Sequence, residues 1–412
     1  MESVRLYSLL SGFSRALGLV CKKLTEHNLR VAYLAQVLAG HCGLDHQERK
    51  YLLIASMLHE IGTIPLKDGL ANFVFEKEDY CVAGWVFCRT AKLPEDVCNM
   101  VLLRKTPWNE LNPQEDNAIA ANCIYFADAV DAEMLAHPEV EFHHLASAML
   151  EKVDNFSSIW RDAFAKLAEN KTIIAAYQSS RAMNAYLSNE FCKDTLSTKN
   201  LLTLCDLFSQ IIDSKSPFTA THSHGVAHTA QEILKMTGLA SSEDYLTIYI
   251  AGLLHDIGKL AVPVDILEKP GSLSDQERHE IKQHAEIGIQ LLDSIPGFHC
   301  VCDWAGMHHE RLDGKGYPYG LGAAKLTLPM RVMAVADVFT ALTESRPYRG
   351  GMELTRVVAC MSAMAENRQL DADIVALVVK NALQINQVRF RAQRDAAAKF
   401  LAMRKLCAWT RV

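Results

Sequence analysis

The sequence predicts an all-α protein built from two related helical units in tandem. Apolar residues recur at helical spacing over 29–38, 51–58, 245–254 and 373–383. The period-2 alternation of a strand is scarce. The chain also echoes itself. His27-Asn28-Leu29-Arg30-Val31-Ala32 precedes Leu58-His59-Glu60-Ile61-Gly62. His222-Ser223-His224-Gly225-Val226-Ala227 precedes Leu254-His255-Asp256-Ile257-Gly258 by the same interval, to within one residue. Ala127-Asp128-Ala129-Val130 then answers Ala336-Asp337-Val338-Phe339. Three echoes in one order point to duplication of one helical unit.

The elements follow in chain order. Residues 1–20 are apolar but interrupted by Glu2, Arg5 and Arg15, which suits an amphipathic helix better than a cleaved signal. Residues 1–130 form the first unit and 131–195, poor in turn signals, a helical connector. Residues 196–385 form the second unit. Turns are expected at Ile64-Pro65, Pro107, Lys269-Pro270-Gly271, Pro296-Gly297 and between Gly314 and Gly322. Ser274, with Glu277 three residues on, reads as a helix cap. The last stretch, 386–412, carries Arg389, Arg391, Arg394, Lys399, Arg404 and Lys405 and reads as a basic helix with a solvated face.

Composition narrows the function classes. The 412 residues are 50% hydrophobic and 22% charged, as suits a globular chain of two or three domains. No apolar run approaches the ~18 residues of a membrane span. The net charge of −6 disfavours duplex nucleic acid as a partner. The 12 cysteines are scattered without a CxxC pair, so reduced thiols in the cytoplasm are the simplest account.

The chemistry concentrates in the second half: His222, His255, Asp256, His284, His308, His309 and Asp337. Imidazoles and carboxylates without thiolates suit Fe, Mn, Ni or Zn better than Ca or Mg. Asp256 could bridge two ions, and two ions ~3.5–4 Å apart clamp a phosphodiester and activate water. Taken singly, each residue has an ordinary structural role. On a continuing helix His308 and His309 would diverge by ~100°, so both ligate only if the ions lie between them or the helix ends there. Asp337 sits in an apolar run, where a buried carboxylate needs a partner.

His255-Asp256-Ile257-Gly258-Lys259 and His308-His309-Glu310-Arg311-Leu312-Asp313-Gly314-Lys315-Gly316-Tyr317-Pro318 together resemble the HD-GYP phosphodiesterases, a branch of the HD metallohydrolase superfamily. The resemblance spans about half the chain, 200–380. It implies HD-type helical domains and two divalent transition-metal ions, Fe or Mn first, with Ni, Zn or Mg as alternatives. One ion would rest on His222, His255, Asp256 and Asp337; the other on Asp256, His284, His308 and His309. Phe218 stands where some members carry a glutamate for a third ion, so two are expected. Gly225 replaces the arginine of the family's His-x-x-Arg segment. Lys259 is expected, with Asp256, to be catalytic. It would contact phosphate or protonate the leaving oxygen, reaching the site by continuing the helix of His255. Arg311, Lys315, Tyr317, Arg346 and Arg349 would contact substrate. The glycines of the Gly-Tyr-Pro turn would supply positive φ and close approach.

The family acts on bacterial cyclic dinucleotides. Cyclic di-GMP is the commonest substrate, and a tandem chain without a receiver domain also looks like members that cleave 3′,3′-cyclic GMP-AMP. The residues leave the base preference open. A non-catalytic receptor and another HD-superfamily nucleotide phosphohydrolase are the alternatives. The intact second set argues against the first and the Gly-Tyr-Pro turn against the second.

The first unit keeps His27, His59 and Asp128, but has Glu60 for the aspartate and Thr63 for the lysine. Tyr80 stands where His284 would fall, and Arg104 and Lys105 near the paired histidines. Too few ligands remain for two ions; one weak ion on His27, His59, Glu60 and Asp128 is the alternative to the structural or regulatory unit, packed on the second, that is expected. A homodimer is allowed.

Overall fold

In a computed structural model, residues 3–20, 26–63, 79–115, 117–215, 221–269, 271–344 and 350–409 are described. They are all-α: helices and short 3-10 turns, with no strand among the described residues and two isolated bridges. The chain divides into two compact units at Leu196/Ser197. Residues 131–195, expected as a connector, are helices of the first unit. Asp131 binds His27, Arg30 and Tyr177, and Phe142 packs edge-on to Tyr177.

In the first unit the central helix is His27–His41, buried along almost its whole length. Packed around it are His46–Leu58, Ala118–Ala136, Ser158–Leu167 and Ser180–Glu190. The amphipathic helix Leu6–Val20 buries Leu6, Leu9, Leu10, Phe13, Ala16 and Leu17. His46–Leu58 starts at a reciprocal cap between Asp45 and Glu48 and delivers His59 and Glu60 at its end.

The second unit repeats this plan. The central helix His222–Thr237 packs on Ser242–Leu254 and Leu328–Thr343. Ser242–Leu254 ends just before His255, and the chain turns into the 3-10 segment Ile257–Ala261 against Asp275–Asp293. That long helix starts at the Ser274–Glu277 box read from the sequence, with Ser274 N–H donating to Glu277 Oε2 at 2.7 Å. The helix expected over 373–383 breaks at Asn381: Ala372–Lys380 ends there and Ala382–Trp409 begins. Of the basic residues in that last helix, Arg391 and Arg394 are exposed, but Arg389 is buried, contrary to the solvated face expected for it.

One close approach ties the two units to a common plan. A Cβ on Gly258 would lie 1.9 Å from the carbonyl oxygen of His284. A Cβ on Gly62 would lie 2.1 Å from that of Tyr80. Each 3-10 turn crosses a helix so closely that only glycine fits. The same contact places Tyr80 where the second unit has His284. The ten cysteines whose side chains are described are all free. Among the described residues, no helix is long and apolar enough to cross a membrane.

Candidate metal centre

Helix ends, turns and two mid-helix positions deliver the seven residues of the second unit. His222 opens one helix, His255 and Asp256 follow the end of another, and Asp337 lies within Leu328–Thr343. His284 lies within Asp275–Asp293. Helix His299–Gly306 stops before the paired histidines, so they lie in a turn, with ring centroids 3.9 Å apart. The divergence of a continuous helix does not arise.

Asp256 stands at the centre, and its two oxygens face different partners. Oδ2 lies 3.3 Å from His255 Nε2. Oδ1 lies 3.4 Å from His284 Nε2 and 4.0 Å from His308 Nε2. On the first side, Asp337 Oδ1 lies 3.2 Å from His222 Nε2 and 4.0 Å from His255 Nε2. Asp337 Oδ2 reaches His309 Nδ1 at 3.9 Å. Ligand-capable atoms of His222, His255 and Asp337 all fall within 4.8 Å of one another, and so do those of His284, His308 and His309.

The far nitrogens are already engaged. The Nδ1–H groups of His255, His284 and His308 donate to the carbonyls of Gly252, Ile281 and Ala305 at 2.8, 2.5 and 2.6 Å. That of His222 donates to Glu344 Oε2 at 3.0 Å. Such bonds fix the tautomer and aim the Nε2 lone pairs inward. Inside, His255 Nε2 and Asp256 Oδ1 are buried without a hydrogen-bond partner. Orphaned buried acceptors converging on one space are costly unless a cation fills it, so the residues present fit bound metal.

Electrostatics agree. Burial, then the neighbouring imidazoles, hold His308 and His309 well below the usual histidine range, so both are neutral and able to ligate. Burial would raise Asp256 and Asp337, yet the facing imidazoles, with Lys259 at Asp256, hold both carboxylates ionised. Burial opposes the charge on His222, but Glu344 and Asp337 raise it to about 10, so a cation at Nε2 would replace a proton there.

Lys259 Nζ donates to Asp256 Oδ2 at 2.5 Å. The expected route, four residues along a continuing helix, is not taken, because Ile257–Ala261 is 3-10. With three residues per turn, Lys259 eclipses Asp256. Arg311 and Lys315 are exposed on the Gly-Tyr-Pro loop. The Tyr317 ring lies 4.6 Å from that of His309, with Lys282 Nζ 5.3 Å above it. Gly314 has φ +72°, and a Cβ on Gly316 would meet Glu310 Cα at 2.5 Å, as the glycine reading expects. Arg346, Arg349 and Phe218 lie outside the described residues.

Two carboxylates escape a reading by motif and spacing. Glu310, 2% exposed, accepts the N–H of Tyr319 at 2.7 Å and of Leu321 at 2.9 Å, clamping the loop. Its adjacency to His309 in a glycine-rich loop is the available signal. Glu344 follows the end of an apolar helix and carries none.

In the first unit the same positions build a different object. His27 Nε2 lies 3.2 Å from His59 Nε2 and 3.3 Å from Asp128 Oδ1. Glu60, however, pairs at 2.9 Å with Arg104, which is 1% exposed. Lys105 Nζ stands 4.0 Å from Asp128. Burial and then Arg104 lower His59 to about 4. Thr63 turns back onto the Glu60 carbonyl at 2.7 Å.

An all-α unit that gathers an adjacent His-Asp pair and five further ligand-capable side chains has the fold and site of the HD class of metal-dependent phosphohydrolases. Models of the HD domain match twice, at residues 24–133 and 206–374. Over 91% of its length and 91% of the relative's, the chain is 32% identical to the 3′3′-cGAMP-specific phosphodiesterase 1 of Vibrio cholerae. It is 34% identical to the cyclic di-GMP phosphodiesterase response regulator RpfG of Xanthomonas campestris, over 44% of this chain and 48% of that one. The crystal structure of a cyclic GMP-AMP specific phosphodiesterase of V. cholerae, V-cGAP3, shares the fold, with TM-score 0.62 and 22% identity over 93% of this chain and 98% of that one. The chain belongs to the HD-GYP cyclic dinucleotide phosphodiesterases, with a degenerate HD unit before the complete one.

Proposed function

We propose that the second unit holds two divalent transition-metal ions, Fe or Mn, and hydrolyses 3′,3′-cyclic GMP-AMP in preference to cyclic di-GMP. The observation that carries the metal reading is the division of Asp256. One oxygen faces His255, beside His222 and Asp337; the other faces His284 and His308. A ligand set of nitrogen and oxygen without thiolate suits Fe, Mn, Ni or Zn, and the family resemblance puts Fe or Mn first. For the substrate, the support is the relative specific for 3′3′-cGAMP, matched along nearly the whole tandem chain.

When bound, the two ions would supply an activated water and neutralise charge on the phosphoryl oxygens. The chain supplies the rest. His222, His255, Asp256 and Asp337 would hold one ion; Asp256, His284, His308 and His309 the other. Lys259, a cation at the edge of the set, would meet the phosphate or give a proton to the departing ribose oxygen. Arg311, Lys315 and Tyr317 present two charges and a ring on the loop that Glu310 fixes, where a nucleotide can be held. Arg346 and Arg349 are proposed as further phosphate contacts. One phosphodiester opens, and the product is a linear dinucleotide.

The test is turnover by purified protein loaded with Mn²⁺, or with Fe²⁺ under nitrogen. It is offered 3′,3′-cyclic GMP-AMP, cyclic di-GMP and nucleoside triphosphates. The expected result is a linear dinucleotide, with the highest kcat/KM on 3′,3′-cyclic GMP-AMP. Binding without turnover by the two-metal protein would make it a receptor. Cleavage of the triphosphates instead would return it to the wider superfamily.

A further inference from the structure

The C-terminal helix carries a buried polar chain that ends on the metal-site histidine His222. Glu344, whose Oε2 accepts the His222 Nδ1–H at 3.0 Å, accepts with its other oxygen the Nε2–H of Gln393 at 2.7 Å. The Gln393 Oε1 accepts in turn from Arg389. The guanidinium is anchored by Asn386, whose Oδ1 accepts from its Nε and Nη2 at 3.0 and 2.9 Å. Glu344, Gln393 and Arg389 are all at least nine-tenths buried.

The first unit does the same job locally. There Asp131 accepts the His27 Nδ1–H at 2.6 Å and the Arg30 Nε–H at 2.5 Å. Arg30 sits three residues after His27 on the same helix. The equivalent position in the second unit is Gly225. A Cβ there would lie 2.8 Å from Gln393 Nε2 and 3.0 Å from Thr340 Cγ2. The missing side chain is the space through which Gln393 reaches Glu344.

From this juxtaposition we infer that Gln393 and Arg389 are positioning residues for the His222-side ion, taking over from the last helix the support that an arginine at Gly225 would give. The glycine is a relocation of the supporting cation and not its loss. A carboxylate bound to a ligating imidazole sets both its aim and its basicity. Removing the donor behind that carboxylate frees Glu344 to turn and leaves the His222 Nδ1–H without a fixed acceptor. The inference rests on the two-ion reading of the second unit.

The full chain with Gln393→Met, which keeps the length and volume but not the amide, is loaded with Mn²⁺ and dialysed against graded chelator. Metal per chain and the Tm of the metal-free protein are recorded. The expected result is loss of one ion of the two at roughly 10–100-fold lower chelator than wild type needs. The metal-free Tm should stay near wild type. Arg389→Met should give a smaller shift in the same direction, and Gly225→Arg combined with Gln393→Ala should recover the second ion. Two ions held with the wild-type chelator profile in folded Gln393→Met would overturn the relay. A fall in metal-free Tm that fully accounts for the metal loss would overturn it as well. A wild-type chain that binds no metal would overturn the two-ion reading itself.

Discussion

At the end of one helix the first unit places Glu60 against a guanidinium; at the corresponding end the second places Asp256 among imidazoles. Up to that point the two are alike. Each has a central helix opening on a histidine, a second helix ending on another, a glycine that lets the 3-10 turn cross the next helix, and an aspartate facing the first histidine. The divergence is in what neutralises the carboxylates. In the first unit Arg104 and Lys105 are covalently fixed cations. In the second, the matching positions are neutral histidines, and buried acceptors remain unpaired. A fixed guanidinium repels a divalent ion and occupies Glu60, leaving His27, His59 and Asp128 as the ligand-capable groups that still converge. The difference teaches that one backbone plan becomes a salt-bridged core or an ion-binding core according to who carries the positive charge.

The sharpest way to break that comparison is Asp256→Ala. It should reduce turnover to background and empty both ion positions, because both proposed sets share this carboxylate; metal analysis beside a rate assay reads both. Retention of two ions by this variant would show that Asp256 is not the shared ligand. Lys259→Ala should cut the rate by ~10²–10⁴-fold with metal content near normal, as for a proton donor or charge contact. Parallel loss of metal would move Lys259 to a structural role through its bond to Asp256.

Glu310→Ala should raise KM and lower the Tm. It leaves the N–H groups of Tyr319 and Leu321 without the acceptor that holds the loop. An unchanged KM would detach the Gly-Tyr-Pro loop from substrate. The smallest effect on turnover is expected in the first unit: His59→Ala should leave the rate within a few-fold and the metal count unchanged. Glu60→Ala should also spare the chemistry, yet lower stability by about 3–5 kcal/mol, since it strands the buried Arg104. A dead but folded His59→Ala protein with two ions would mean that the first unit takes part in the reaction.

Much of the site is legible in the amino-acid sequence. His and Asp at duplicated intervals are visible in one dimension, and so is the replacement of ligands by Tyr80, Arg104 and Lys105 and of the lysine by Thr63. The Ser274–Glu277 cap is equally plain, because capping is a local matter of three residues. Spacing misplaces Lys259 by one turn type: whether an α-helix continues past His255 depends on the helix that Gly258 must cross, which is a tertiary contact. Arg389 reads as one charge among several on a solvated helix. Its burial is decided by Gly225 and Glu344, both far away in sequence.

The sequence by itself determined the helical class, the duplication, the seven candidate ligands and the degeneracy of the first unit. These depend on residue type and spacing, which chain order preserves. The tertiary structure alone decided which oxygen of Asp256 faces which histidine. It also decided that His308 and His309 share a turn, that Glu310 clamps the loop and that Glu344 backs His222. Those are matters of distance and direction between side chains on different helices, and a linear spacing carries no information about either.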